Sequence, residues 1–304
     1  MERFKKRLKN LSAFLLDEAL KEKIEKVIVW SAIILFILHL LFIAVVDSHV
    51  LESSVFKDLT ISPISAIYTP FSIILIYEVY LLVYYLPKSI SSYIGKQYEI
   101  ITLILIRKIF YDLSKLEFSE EWFSIEGDLK FTVDILATLI LFVLIFLFYK
   151  IYQNNKSLEK KKMSLKTKKH INLKKAFASI LVPIAAILAV YSLVFWIYET
   201  TINPIQISDS IKSINNIFFD DFFSILILTD VLLLLFSLLQ TDEFSRVIRN
   251  SGFIISTILI KLSFSADGIL NAILIVAAVS FGVILIYIYS LYQKINKKEL
   301  EEIE

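Results

Sequence analysis

The sequence predicts an all-α integral membrane protein of about eight transmembrane helices, built as two parallel four-helix repeats with both termini cytoplasmic. Three observations carry this expectation. First, hydrophobic residues make up 57% of the 304 and the mean hydropathy is +0.71, above the roughly half apolar content of a soluble domain. Second, the apolar residues fall in blocks rather than scattering as a soluble core would place them. Val27–Val46, for instance, has His39 as its single ionisable side chain and matches the ~20 residues a helix needs to cross a bilayer. Third, charge alternates between successive loops.

Taken in order, the apolar blocks cover 27–46, 61–86, 98–113, 131–149, 176–198, 222–239, 252–266 and 268–292. The third and seventh are short, and each carries a basic residue near its middle. Ahead of the first block, Phe4, Leu8, Leu11 and Leu15 recur at helical spacing among lysines. That pattern suits either an amphipathic helix on the inner interface or a helix packed on the protein's own loops. The charged stretch is too long for a signal peptide, and no small-residue cleavage site follows it.

Lys and Arg collect in loops that stay cytoplasmic. The first 26 residues hold eight of them, the turn after the second block has Lys88 and Lys96, and Lys150–Lys175 holds ten lysines against Glu159. Arg246 and Arg249 follow at 240–250, and Lys294, Lys297 and Lys298 lie in the tail. The alternate loops are acidic: Asp47, Glu52 and Asp58 against Lys57, six acids against two lysines at 112–130, and four acids against one lysine at 199–221. Eight crossings place every basic segment on one side.

The two halves resemble each other. Phe71–Glu78 (FSIILIYE) aligns with Phe223–Asp230 (FSILILTD), and Thr102–Arg107 (TLILIR) with Ser256–Lys261 (STILIK). Tyr149–Gln153 (YKIYQ) aligns with Tyr289–Gln293 (YSLYQ), and Asp47 and Glu199 close the first and fifth blocks. Four spans per half make the repeats parallel, unlike the inverted repeats common in carriers. The expected organisation is an amphipathic N-terminal helix at 1–26, a first repeat at 27–153, a Lys-rich linker at 154–175, a second repeat at 176–293 and a tail at 294–304.

Inside the blocks stand four charges. Glu78 lies about eight residues from the inner end of its span, ~12 Å at helical rise. Arg107 lies about ten residues into the next span, at ~15 Å. Asp230 and Lys261 repeat the arrangement. A lone charge at the bilayer centre costs at least ~2.5–3.5 kcal/mol, so matching depth predicts two ion pairs, Glu78–Arg107 and Asp230–Lys261. Such pairs either fasten helices or line and gate an ion path. His39, Asp134 and Asn271 read as satisfied packing residues. Small residues four apart, Ala185 with Ala189 and Ala278 with Gly282, suit close helix approach, within the chain or at an oligomer seam. In the linker, Lys160, Lys161, Lys162, Lys168 and Lys169 offer charge to an anionic cytoplasmic ligand such as a nucleotide messenger, or simply orient the chain.

Other chemistries are discounted. There is no cysteine and there are three histidines, which gives no HExxH helix or thiolate metal site. Five glycines leave no phosphate-cradling loop, and there is no GxSxG or TVGYG pattern. No enzyme, cofactor or metal is expected. The expectation is a homo-oligomeric ion-conducting protein of a bacterial inner membrane, gated from the cytoplasmic side, such as a membrane-depolarising effector in antiviral defence. The alternatives are a transporter using intramembrane carboxylates and a non-conducting scaffold.

Overall fold

The computed structural model describes residues 10–11, 13–47, 66, 68–113, 126–158, 165–202, 222–236, 244–266 and 268–301. Within them, one helix answers each apolar block: α1 (Glu18–Asp47), α2 (Tyr68–Tyr85), α3 (Ile90–Leu113), α4 (Glu126–Leu158), α5 (Leu165–Ile202), α6 (Phe222–Phe236), α7 (Phe244–Phe264) and α8 (Ile269–Glu301). Five of them, α1, α4, α5, α7 and α8, are long and apolar enough to cross a membrane. The protein is a helical membrane protein, with no strand among the described residues.

Side-chain exposure suits lipid as the surrounding solvent. On α4, Leu136, Leu139, Ile140, Val143 and Phe146 point outward, while Ala137, Leu141 and Phe148 are buried. An apolar residue facing outward loses nothing to hydrocarbon, and an open backbone would lose hydrogen bonds there. α1 goes further: Trp30, Ile34, Leu38 and Leu41 are exposed, with Ala32 and Ile43 buried. α3 is the opposite case. Tyr93, Ile94, Gln97, Tyr98, Ile101 and Thr102 are all buried, so this helix is solvated by protein, and its polar residues follow from that.

Helix ends differ from the expected spans. α1 begins at Glu18, ahead of its apolar block, and α3 begins at Ile90, eight residues before its block. Ser89 caps α3: its Oγ accepts from the Ser92 amide at 3.2 Å and its carbonyl from the Tyr93 amide at 3.0 Å, satisfying first-turn groups that a helix leaves open. Between α7 and α8 the chain turns in a few residues. Ser265 and Ala266 donate back to Leu262 and Ser263, and Gly268 has φ 64°, the left-handed conformation that glycine takes without steric cost. Asn271 Nδ2 donates to the Ser263 carbonyl at 2.6 Å and closes the hairpin.

The chain forms two compact units. One gathers Met1–Tyr84, Ile104–Ile135 and Ser179–Phe222; the other gathers Tyr85–Leu103, Leu136–Ala178 and Phe223–Glu304. Each unit draws on both halves of the sequence. In the first, Tyr80 donates to the Leu15 carbonyl at 2.9 Å, Tyr77 to Glu25 at 2.7 Å, and Lys21 lies over the Tyr84 ring at 5.8 Å. The chain at Leu15–Glu25 thus packs on α2, while Leu11 and Phe14 remain exposed; Phe4 and Leu8 lie outside the described residues.

Candidate functional site

In the first unit Glu78 and Arg107 are both buried and the Arg107 charge reaches the Glu78 carboxylate, but the two are not in ion-pair contact among the described residues, where Lys96–Glu99 and Lys108–Asp134 are. One residue beyond Arg107, Lys108 Nζ stands 2.9 Å from Asp134 Oδ2, with Asp134 fully buried. Asp134 is therefore an ion-pair partner and more than a packing residue.

The second unit rearranges the other expected pair. Asp230 is 7% exposed, and its Oδ2 accepts from Tyr93 Oη at 3.2 Å and Gln97 Nε2 at 3.4 Å. Tyr93 and Gln97 are four residues apart and so share one face of α3. The buried Lys174 of α5 is the cation whose charge reaches Asp230, and its Nζ donates to the Lys88 carbonyl at 3.4 Å. Lys261 instead donates to Ser224 Oγ at 2.5 Å. Asp230 is taken up by Tyr93 and Gln97 of α3, and the Lys261 ammonium meets the Ser224 hydroxyl on α6 instead; α7 runs back at least to Phe244, so Lys261 lies further along its helix than a start at 252 implies.

The Asp230 cluster continues through neutral groups. Gln97 Oε1 accepts from Thr257 Oγ1 at 2.8 Å, so the one amide joins α6, α3 and α7. Beside it Ser256 Oγ donates to the Ala278 carbonyl at 2.7 Å. That uses the hydroxyl's one proton, so Tyr98 Oη is the donor in its 2.8 Å bond to Ser256. Buried polar groups need such partners, because losing one exposes the full desolvation cost of the other. Gly282 lies against Tyr98: a Cβ there would stand 1.6 Å from Tyr98 Oη. The Ala278–Gly282 pair therefore packs inside the chain against α3. Ala185 is likewise buried.

Tyr93, Gln97 and Lys174 carry no site signal in the sequence: residues 87–97 read as a polar turn between apolar blocks, and Lys174 as one of the linker lysines. Of the linker lysines, Lys160, Lys161 and Lys162 lie outside the described residues, and Lys168 and Lys169 are in the first turns of α5. Among the described residues no group of three or more acids and histidines is placed to hold a metal ion. Comparison of the chain with protein-family models, with curated proteins and with solved structures gives no match.

Proposed function

We propose that this protein is an oligomeric ion-conducting membrane protein, with eight spans in two parallel repeats, both termini cytoplasmic, and gating from the cytoplasmic side. The observation that carries the reading is the burial of Glu78, Arg107, Asp230 and Lys174 part-way along helices of a membrane protein. Ionisable residues inside a membrane are costly, and they mark ion and proton paths by default. In the closed state Glu78 is held by the Arg107 charge, and Asp230 by Tyr93, Gln97 and Lys174. Opening exchanges these partners for water and passing ions. Lys261, held by Ser224, lies further along and contributes a positive ring at one end of the path. A bacterial inner membrane and a depolarising role in antiviral defence are the setting this architecture suits.

A second reading is a carrier that uses Glu78 and Asp230 as coupling carboxylates. It is favoured by the neutral donors Tyr93 and Gln97 around Asp230, which can hold an acid in either protonation state. The deciding experiment is mass measurement of the detergent-purified protein followed by bilayer recording. An oligomer with unitary currents supports conduction. Saturable flux without unitary events supports the carrier, and an oligomer or monomer passing no ions overturns both in favour of a scaffold.

A further inference from the structure

We infer that the second unit carries a binding site for a protonated phosphate monoester, between the start of α3, the end of α4 and the start of α7. The site is a pocket of about 40 Å³ bordered by Ser89, Ser91, Tyr152, Asn155, Arg249 and Tyr289. A water needs roughly 10–15 Å³ by the same measure, so the pocket takes a group the size of a few waters, which is one phosphate tetrahedron.

Two independent features point to an anion there. The first is the donor set. Ser89 and Ser91 stand at the N-terminus of α3, where the helix dipole favours negative charge although Ser89 itself takes up the Ser92 and Tyr93 amides. Arg249 borders the same space, fixed in place by its 4.2 Å stacking over Tyr289 and by bonds from Nε and Nη2 to Asn250 Oδ1 at 3.2 Å. Arg249 is near enough to Lys174 for their charges to act on one another, and the Asp230 carboxylate acts on Lys174 more strongly still. No carboxylate is among the described residues that border the pocket. Tyr152 and Ser89 are joined at 3.0 Å and make a hydroxyl wall.

The second feature is Asn155. It is 4% exposed, and both its Nδ2 and Oδ1 lack a hydrogen-bond partner. Buried amides are rarely left so, and each instance calls for a ligand or an equivalent partner. The amide needs an acceptor at Nδ2 and a donor at Oδ1. A fully deprotonated oxyanion such as sulfate supplies only acceptors. A phosphate monoester that keeps one P–OH supplies both: a phosphoryl oxygen accepts from Nδ2 and the P–OH donates to Oδ1, with the Arg249 charge bordering the same space. The site lies apart from Lys160–Lys169, and it stands whether or not the protein conducts.

The test is titration calorimetry on the detergent-purified full chain with inorganic phosphate and with sulfate, and a thermal-shift titration in micelles doped with phosphatidic acid or phosphatidylglycerol. The first lipid has a phosphate monoester headgroup and the second a diester without P–OH. Phosphate is expected to bind at least tenfold more tightly than sulfate, or phosphatidic acid to stabilise where phosphatidylglycerol does not; the first result assigns a soluble source and the second a lipid. Asn155→Leu is expected to lose tenfold or more in affinity, the scale of a hydrogen bond to a charged group. Arg249→Gln provides an independent second variant with the same expected loss if Asn155→Leu does not fold. Binding of neither phosphate nor phosphatidic acid overturns the site. Equal binding of phosphate and sulfate, or binding unchanged in the folded variants, does so as well.

Discussion

Gly282→Ala tests the packing of α3 on α8 most sharply. The added methyl would lie 1.6 Å from Tyr98 Oη and 2.7 Å from Cζ, so the ring must move. It has little room: Tyr98 is fully buried, its ring meets Phe148 edge-on at 5.2 Å, and its hydroxyl is committed to Ser256. Overpacking a tight core costs about 1–3 kcal/mol, and losing a hydrogen bond of this kind adds about 1 kcal/mol. Alanine returns about 1 kcal/mol through its higher helix propensity. The net loss expected is about 1–3 kcal/mol, read from unfolding in mixed micelles. Tyr98→Phe removes the atom in the closest contact, and Ser256 keeps its bond to Ala278. The double variant should therefore be more stable than the sum of the two single changes requires, with a coupling of about 1 kcal/mol or more. Strict additivity, or a Gly282→Ala protein as stable as the parent, would refute the close approach.

Lys108→Met is expected to destabilise, by up to about 3 kcal/mol, because it removes the ion-pair partner of the buried Asp134 carboxylate while Lys130 still acts on it; restoring stability with Asp134→Leu in the same unfolding assay confirms the pair. Glu78→Gln with Arg107→Gln should be more stable than the worse of the two single variants, and a double variant no better would show that the charges do not support each other. Asp230→Leu with Lys174→Met should fold and assemble yet lose or lock open the ion current; unchanged flux in that folded protein would leave the cluster a structural fastening. A reporter fused within 156–175 should read cytoplasmic and one within 112–130 external, and finding both on one side would remove the eight-span reading.

The apolar blocks were legible because a membrane helix declares itself by length and composition alone, as at Val27–Val46. Helix starts were less so. Residues 87–97 look like a polar turn only when lipid is assumed to surround them; α3 is instead wrapped by protein, where Tyr93 and Gln97 find partners. Ser89, just after Pro87, was the readable cap signal for that earlier start. The same error displaced Lys261, since depth counted from 252 and depth counted from Phe244 differ by about two helical turns. Lys174 was hidden by company: among nine linker lysines nothing in the sequence marks the one that turns inward. Gly282 carried a spacing signal for close helix approach, and the Tyr98 ring is what meets it within the chain.

The tight turn at Gly268 bears on how the protein enters the membrane. Its partner α7 bears Arg246, Arg249 and Lys261 and is the least apolar of the five candidate spans, whereas α8 is among the most apolar. A translocon releasing segments one by one would offer α7 to lipid before anything could cover its serines and lysine. Joined by so short a connection, and with Asn271 reaching back to Ser263, the two leave more favourably as a pair, with α8 supplying the partition energy that α7 lacks. Ribosome-bound chains halted before α8 should therefore hold α7 at the channel mouth, extractable by alkali, and chains long enough to expose α8 should carry both into the bilayer together.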